Sequence, residues 1–282
     1  MKFARYGEKG LEKPALVDAH GQLRDLSAHC EDVTGEAFES GLFEKIAALD
    51  PESLPVVNGS VRIGPCVGKI GNFIAIGLNY TDHAEETNAP IPTEPILFNK
   101  ARSCVVGPYD DVVLPPGSQD ADWEVELAFL IGRRTYRVSQ DNALQSVAGY
   151  FVCNDVSERD YQLKREGQWM KGKCCPTFGP IGPWLVTPDE VGDPQNLSLW
   201  LDLNDERFQD SHTSKMIFPI AEIVSYLSHF MILEAGDIVT TGTPPGVGLG
   251  MKPERYLKAG DEMRLSVEGL GEQRQKVVAF SN

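Results

Sequence analysis

Two carboxylates stand two residues apart in the segment 122–131, at Glu124 and Glu126. Apolar positions alternate through this segment, which is typical of a half-buried β-strand: Trp123, Val125, Leu127, Phe129 and Ile131. Side chains i and i+2 of a strand share a face, so both carboxylates are about 6–7 Å apart on one side. Such acids repel each other, and a divalent cation relieves the repulsion. Oxygen ligands suit Mg²⁺, Mn²⁺ or Ca²⁺ better than zinc. The alternative is the solvated face of an edge strand.

A third acid, Asp155, ends the run of residues 149–155. Aromatic and β-branched residues lead up to it, which predicts that Asp155 lies at the end of a buried strand. In that position it can complete a three-carboxylate site with Glu124 and Glu126. The alternative is that Asp155 caps the turn that begins at Val156.

A histidine and a carboxylate, His83 and Glu86, stand three residues apart. On a helix these positions share a face. A carboxylate beside an imidazole raises its basicity and fixes its orientation, as a water-activating base requires. The alternative is an exposed polar turn, since Asp82 and Glu85 are also acidic.

Two further segments carry candidate substrate contacts. Lys171 or Lys173 could neutralise a substrate carboxylate or a developing enolate. The loop 240–248 is dense in glycine and proline, and Thr243 within it can donate a hydrogen bond to a carboxylate. The loop lacks the lysine of a phosphate-binding loop, so nucleotide binding is not predicted.

The elements that hold these residues divide the chain in two. Residues 1–67 predict a small N-terminal α/β domain, with a hairpin over 14–26 and a helix over 36–49. Residues 68–282 predict a larger domain of short strands with few helices. This pattern indicates an α+β, β-rich fold.

Three elements of the larger domain can be bounded from the sequence. Helices are predicted over 140–148 and from Pro219 onward, where the apolar stripe includes Ile223 and Leu227. A closing hairpin is predicted from 263–267 and 276–280.

Charge and cysteine content limit the classes of function. The formal charge of the 282 residues is −15, which argues against nucleic acid or an anionic membrane as a partner. The six cysteines contain no C-x-x-C pair, so a zinc knuckle is not expected. No signal peptide or run of 18 apolar residues is present, and the expected setting is the cytoplasm with free thiols.

Taken together, in their order along the chain, the segments that carry the candidate site residues resemble the fumarylacetoacetate hydrolase family. The resemblance runs from about Lys69 to Phe280. The resemblance rests on these marks: Gly77-Leu78-Asn79-Tyr80 with His83 and Glu86, Glu124-x-Glu126, Asp155, Lys173, and Thr241-Gly242-Thr243-Pro244. It implies a mixed β-sandwich roll that forms a homodimer, with one Mg²⁺ or Mn²⁺ per subunit.

The resemblance also implies a role for each matching residue. The metal ligands would be Glu124, Glu126 and Asp155. His83 and Glu86 would activate water on a lid over residues 82–92, and Lys173 would lie near the metal and the substrate oxygens; Lys171 is a poorer match. Substrate contacts are implied for Tyr80, Phe98, Lys100, Gln162 and Thr243.

The implied reaction is hydrolysis of the C3–C4 bond of a 2,4-diketo acid (an acylpyruvate), which releases pyruvate and a carboxylic acid. The run from Asn79 to Asn88 is most similar to bacterial hydrolases of 2,4-diketo-3-deoxy sugar acids, such as the rhamnonate or fuconate derivatives. Four alternatives remain open: decarboxylation of oxaloacetate, isomerisation of a hydroxymuconate-type diacid, a ureidoglycolate lyase activity, and an inactive metal-binding protein.

Overall fold

The structure is a computed structural model that describes residues 1–86 and 90–281. Residues 87–89 of the predicted lid lie outside the described residues. The strands are β1 (Lys2–Tyr6), β2 (Lys13–Val17), β3 (Leu23–Asp25), β4 (Phe73–Gly77), β5 (Ile96–Lys100), β6 (Val105–Val106), β7 (Val112–Leu114), β8 (Ala121–Asp122), β9 (Val125–Ile131), β10 (Val147–Asn154), β11 (Ser157–Glu158), β12 (Gly179–Pro180), β13 (Leu185–Val186), β14 (Ser198–Leu203), β15 (Glu206–His212), β16 (Ile238–Thr240), β17 (Glu262–Val267) and β18 (Glu272–Ala279).

The α-helices are short, apart from the last one. They are α1 (Gly35–Glu39), α2 (Leu42–Ala47), α3 (Thr81–Glu86), α4 (Gln140–Ala143), α5 (Arg159–Leu163), α6 (Met170–Lys173), α7 (Pro188–Val191) and α8 (Ile220–Phe230). The fold is therefore α+β and strand-rich, as the sequence predicts.

A nine-stranded sheet carries the acidic residues near its centre. Its order is β3-β2-β1-β13-β10-β9-β16-β4-β5. Strand β9 pairs with β10 and β16, and all seven of its residues are buried. The prediction of a half-buried strand was therefore wrong, and so was the edge-strand alternative. Alternating polar positions here mark an enclosed polar site rather than a face toward solvent.

The second sheet packs on the first to form a sandwich. It has five strands in the order β15-β14-β17-β18-β7, and β14 and β17 contact β9. The predicted closing hairpin is confirmed as β17 and β18, with Glu262 opposite Lys276. The second strand begins at Glu272, four residues earlier than the apolar pattern indicated. Apolar side chains of both sheets fill the core between them.

The N-terminal strands join the larger sheet. The hairpin of β2 and β3 is confirmed, and β1 pairs with β13 through Lys2–Val186 and Phe3–Leu185. The predicted domain boundary after residue 67 stays a prediction, and these strands cross it in space. The helix predicted over 36–49 was wrong as a single element, because Gly41 has φ of 87° and divides it into α1 and α2.

Two other helix predictions had different outcomes. The helix after Pro219 is confirmed as α8, with Ile223 and Leu227 buried. The helix over 140–148 was too long: α4 ends at Ala143, a 3-10 turn follows, and β10 begins at Val147. None of the helices within the described residues combines the length and apolar character that crossing a membrane requires.

Candidate metal centre and its cavity

Three acids converge at one end of the β9–β10 pair. Glu124 directly precedes β9, Glu126 lies within it, and Asp155 directly follows β10. The antiparallel register sets Cys153 opposite Glu126, and the Asp155 amide donates to the Glu124 carbonyl at 2.9 Å. One carboxylate oxygen from each acid lies within 4.8 Å of the others, and all three residues are buried. Three buried hard-oxygen donors at this spacing fit a divalent cation such as Mg²⁺ or Mn²⁺.

Glu124 is held by two cations. Its Oε2 lies 2.6 Å from Lys173 Nζ, and its Oε1 lies 2.7 Å from Arg159 Nη2. Burial raises the pKa of Glu124, but the charges of Lys173 and Arg159 outweigh burial and lower this pKa to about 2. Glu124 is therefore ionised across the physiological range.

Glu126 has a different environment from Glu124. It accepts hydrogen bonds from the Thr240 hydroxyl and, at 2.8 Å, from the Gly242 amide. Burial raises the pKa of Glu126 well above its ordinary value, and the charges of Asp155 and Glu124 raise it further. A bound cation would remove this penalty.

The glycine that donates to Glu126 is required by its surroundings. Gly242 has φ of 93°, and a Cβ there would lie 2.8 Å from the Asn79 Cβ. A larger residue would push the 240–248 loop away from the strand and withdraw the amide from Glu126. Asn79 fixes the same loop, because its Nδ2 donates to the Thr241 carbonyl at 2.8 Å.

Asp155 is paired with two buried lysines. Lys100 Nζ lies 2.6 Å from Oδ1, and Lys173 Nζ lies 2.8 Å from Oδ2. Burial lowers the pKa of Lys100, but the charge of Asp155 more than offsets burial and raises it. Lys100, Lys173 and Arg159 thus pair with Glu124 and Asp155, and Arg159 is also shared with Asp122.

A cavity of about 220 Å³ opens onto this cluster. Most of the predicted site residues line it: His83, Phe98, Glu124, Glu126, Gln162, Lys173 and Thr243. Among the described residues, four predicted site residues do not line it: Tyr80, Glu86, Lys100 and Asp155. Tyr80 is fully buried, and Lys100 and Asp155 contact each other. The substrate contacts predicted for Tyr80 and Lys100 have no direct counterpart in this arrangement.

His83 of the predicted water-activating pair lines the same cavity, and Glu86 contacts this histidine. His83 Nδ1 is 3.1 Å from Glu86 Oε2 on α3. The Gly246 amide donates to Glu86 Oε1 at 3.0 Å, so Glu86 is itself tied to the loop after Thr243. This chain of contacts orients the imidazole through Nδ1.

Two cavity side chains have defined hydrogen-bonding roles. Gln162 Oε1 accepts from Arg159 Nη1 at 2.9 Å, which leaves its amide nitrogen as the group that can donate to a ligand. The Thr243 hydroxyl donates to the Val125 carbonyl at 2.9 Å and accepts from Gln209 at 2.8 Å. It would have to leave Val125 before it could donate to a carboxylate.

Lys171 and Lys173 occupy opposite surroundings on α6. Lys173 is 2% exposed and contacts two acids of the cluster. Lys171 is exposed and donates to the Arg165 carbonyl at 2.9 Å. The preference for Lys173 over Lys171 thus agrees with where the two ammonium groups lie.

Sequence reasoning missed Arg159 and Trp169. Arg159 is 4% exposed and contacts Asp122, Glu124 and Gln162. Its neighbours Glu158 and Asp160 gave it the appearance of a surface charge. Trp169 lies on the cavity wall, with its ring centroid 5.4 Å from that of Phe98. An isolated tryptophan in a loop carries no positional signal.

The fold and the acid cluster define a strand-rich sandwich protein with a candidate divalent-metal centre. Residues 72–278 match the family described as fumarylacetoacetate (FAA) hydrolase C-terminal. The chain therefore belongs to the fumarylacetoacetate hydrolase family, which confirms the resemblance read from the sequence. A relative from Burkholderia multivorans, named as a hydrolase without a substrate, is 54% identical over 276 residues, which are 98% of each chain.

Three solved structures show the same fold over the whole chain. The fumarylacetoacetate hydrolase from Exiguobacterium antarcticum is 35% identical, with a TM-score of 0.90 over 99% of this chain and 100% of that one. Maleylpyruvate hydrolase from Sphingobium sp. SYK-6, in complex with manganese (II) and pyruvate, is 28% identical, with a TM-score of 0.83 and full coverage of both chains, 100% each. The 2-hydroxyhepta-2,4-diene-1,7-dioate isomerase from Mycobacterium marinum is 29% identical, with a TM-score of 0.75 and 100% of each chain covered.

Proposed function

We propose that this protein is a divalent-metal-dependent hydrolase that cleaves the C3–C4 bond of an acylpyruvate to release pyruvate and a carboxylic acid. The observation that carries the proposal is that one cavity is lined by Glu124, Glu126, Lys173 and His83. Asp155 completes the acid cluster beside this lining, and Glu86 contacts His83. The solved maleylpyruvate hydrolase, which holds manganese and pyruvate, supports it. Glu124, Glu126 and Asp155 would hold one Mg²⁺ or Mn²⁺ per subunit.

His83 would begin the reaction by taking a proton from water. Glu86 lies against Nδ1, so it keeps that nitrogen protonated and stabilises the imidazolium that forms when Nε2 accepts the proton. The resulting hydroxide adds to the C4 carbonyl carbon. The C3–C4 bond then breaks, and its electron pair forms the C2–C3 double bond of the pyruvate enolate, with the acid as the other product. The proton held by His83 then returns to C3, which gives pyruvate and restores the base.

The reaction also requires that the negative charge on the enolate be stabilised. A bound divalent cation supplies Lewis-acid stabilisation of negative charge on oxygen. Lys173 adds a fixed ammonium, which the two acids hold at 2.6 and 2.8 Å. The Gln162 amide can donate to a substrate oxygen, because Arg159 holds its carbonyl end. These groups are oriented before substrate enters, which is the arrangement that stabilises a developing charge most effectively.

The test is a substrate panel assayed with Mg²⁺ and with Mn²⁺. It contains several acylpyruvates, a 2,4-diketo-3-deoxy sugar acid, oxaloacetate, 2-hydroxyhepta-2,4-diene-1,7-dioate and ureidoglycolate. We expect release of pyruvate from at least one acylpyruvate together with an equal amount of the carboxylic acid, and loss of that activity on exhaustive chelation. Turnover that is unchanged after chelation would exclude the metal-dependent mechanism.

A second candidate is the isomerase or decarboxylase reaction on the same centre. The isomerase among the solved structures favours it. These reactions stabilise an enolate but add no water, so their products in the panel are an isomer or CO₂ without a second acid. Ureidoglycolate cleavage would release glyoxylate. A silent metal-binding protein would bind Mn²⁺ and turn over nothing.

The assembly and setting implied by the resemblance are also proposals. We propose that the protein is a homodimer, which sedimentation of the purified chain tests directly. We also propose that it has no nucleic acid or membrane partner. The cysteines are free thiols, as expected for a cytoplasmic protein, and their positions are Cys30, Cys66, Cys104, Cys153, Cys174 and Cys175.

A further inference from the structure

The cavity at the metal centre is divided into a charged floor and an apolar wall. Its ionic residues are Glu124, Glu126, Arg159 and Lys173, and all four are buried. Leu78, Phe98, Leu163, Trp169 and Leu249 line the same cavity and are partly or largely exposed. The charged groups therefore lie deep, and hydrocarbon surrounds the path from the floor toward the mouth.

The apolar wall is a built feature. Trp169 is seated on Gly77 at the end of β4, where a Cβ would lie 2.5 Å from the indole Cζ3. Its ring meets Phe98 edge to face at a centroid distance of 5.4 Å. The glycine and the phenylalanine thus hold the indole in place against the cavity.

No lysine or arginine along this wall is left for a second acidic group. Arg159 is shared between Asp122 and Glu124, and Lys173 is shared between Glu124 and Asp155. The cavity lining contains no other lysine or arginine among residues 1–86 and 90–281. The sequence of residues 87–89, Thr-Asn-Ala, contains none either. A carboxylate placed beside the wall would lose hydration without gaining a lysine or arginine as its partner.

We infer that the acyl group of the substrate is a short, uncharged hydrocarbon chain. The apolar wall, with Trp169 and Phe98 at its centre, selects this chain over carboxylated and polyhydroxylated chains. The inference rests on the proposed function, since the pyruvoyl end occupies the charged floor. The cavity of about 220 Å³ is smaller than the pockets of drug-sized ligands, about 300–1,000 Å³, which limits the chain to a few carbons. The substrate would then differ from the maleyl compound of the manganese-containing relative and from the sugar acids predicted from the sequence.

Two acylpyruvates of equal length test the inference. Butyrylpyruvate and succinylpyruvate differ only in a terminal methyl group that is replaced by a carboxylate. We expect kcat/KM with Mn²⁺ to favour butyrylpyruvate by about 100-fold or more, because the wall offers no partner to the carboxylate. An equal or greater rate with succinylpyruvate or with a diketo-deoxy sugar acid would overturn the inference and leave the proposed function standing. No pyruvate from these compounds or from any other acylpyruvate of the panel would overturn both.

A matched pair of variants tests whether the wall itself sets the preference. Leu163 lines the cavity and is 43% exposed, whereas Leu144 is 42% exposed and lies outside it. We expect Leu163→Lys to reduce the preference for butyrylpyruvate by about tenfold or more, and Leu144→Lys to leave it unchanged. Trp169→Ala should lower kcat/KM for butyrylpyruvate more than for acetylpyruvate, whose methyl group is too short to use the wall. A preference that is the same in Leu163→Lys and Trp169→Ala as in the unmodified protein would overturn the assignment.

Discussion

Arg159 and Glu124 form a direct ion pair inside the protein, with Nη2 2.7 Å from Oε1. The same nitrogen lies 2.8 Å from Asp122 Oδ2, and Nη1 donates to Gln162 at 2.9 Å. One buried guanidinium thus connects a candidate metal ligand with a candidate substrate contact. It is a positioning residue, since it orients these groups, and its planar fork suits that task better than an ammonium does.

Replacing Arg159 should destabilise the fold strongly. Arg159→Ala leaves Asp122 and Glu124 buried without their shared cation, and we expect a loss of about 3–5 kcal/mol in the free energy of unfolding. Arg133→Ala is the control, because Arg133 is exposed, and we expect a change within about 0.5 kcal/mol. Urea denaturation without metal measures both. Equal stability of Arg159→Ala and the unmodified protein would show that the pair contributes nothing.

Lys173 should be needed for turnover but not for metal binding. Lys173→Met removes the ammonium that stabilises the enolate, and we expect kcat to fall about 100- to 1,000-fold. Mn²⁺ affinity, measured by titration calorimetry, should not fall, because one cation fewer competes for Glu124 and Asp155. Lys171→Met, on the exposed side of α6, should leave both quantities unchanged. If Mn²⁺ affinity fell in step with kcat, the lysine would be a support for the metal site only.

Glu126 should link metal binding to stability. Its carboxylate is disfavoured by burial and by Asp155 and Glu124, so Glu126→Gln should not lower the melting temperature in EDTA. Mn²⁺ at a hundredfold excess over its Kd should stabilise the unmodified protein by about 2.7 kcal/mol, and Glu126→Gln should lose this gain. The exposed Glu206→Gln should keep it. A metal-dependent rise in melting temperature that persisted in Glu126→Gln would remove Glu126 from the ligand set.

Local patterns in the sequence allowed the three acids to form one site, and the family resemblance implied that they do. A two-residue spacing on a strand and an acid at the end of the next strand are patterns within short segments, and the antiparallel β9–β10 pair joins them. The lengths of α1 and α4 could not be predicted as well. The left-handed conformation at Gly41 and the start of β10 at Val147 depend on neighbouring elements rather than on apolar periodicity.

The counter-charges of the acids were not predictable, because they come from distant segments. Lys100 lies on β5, Arg159 on α5 and Lys173 on α6, and only the folded sheet brings them to the cluster. The family resemblance supplied roles for two of these residues, but the apparent surface character of Arg159 concealed the third.

The N-terminal residues should be coupled to the larger domain through Arg62. Its guanidinium contacts Asp110, with Nε 2.8 Å from Oδ1. Burial raises the pKa of Asp110, but the hydrogen bonds from Arg62 and the Gly107 amide hold it below its ordinary value. The stabilisation is therefore present above about pH 4 and is lost as the pH falls through the lowered value.

We expect Asp110→Asn to lower the free energy of unfolding at pH 7 by about 1 kcal/mol or less, with the difference from the unmodified protein shrinking below about pH 4. The exposed Asp210→Asn should show no such pH dependence. Urea unfolding as a function of pH measures the effect. If the difference in the free energy of unfolding stayed constant below about pH 4, the charge of Asp110 could not be its source.

The hydrolase and the enolate-only reactions should separate at His83. His83→Ala removes the base that activates water, and we expect hydrolysis of an acylpyruvate to fall about 100- to 10,000-fold. Decarboxylation of oxaloacetate, which adds no water, should survive in the same variant if the acid cluster and Lys173 are intact. His229→Ala is the control, because His229 lies on α8, where Nδ1 contacts the Ser225 carbonyl and the side chain does not line the cavity. Mn²⁺ binding should be unchanged in both variants, so any loss can be assigned to chemistry. If both reactions fell together in His83→Ala, the histidine would serve binding or enolate formation, and water activation would need another residue.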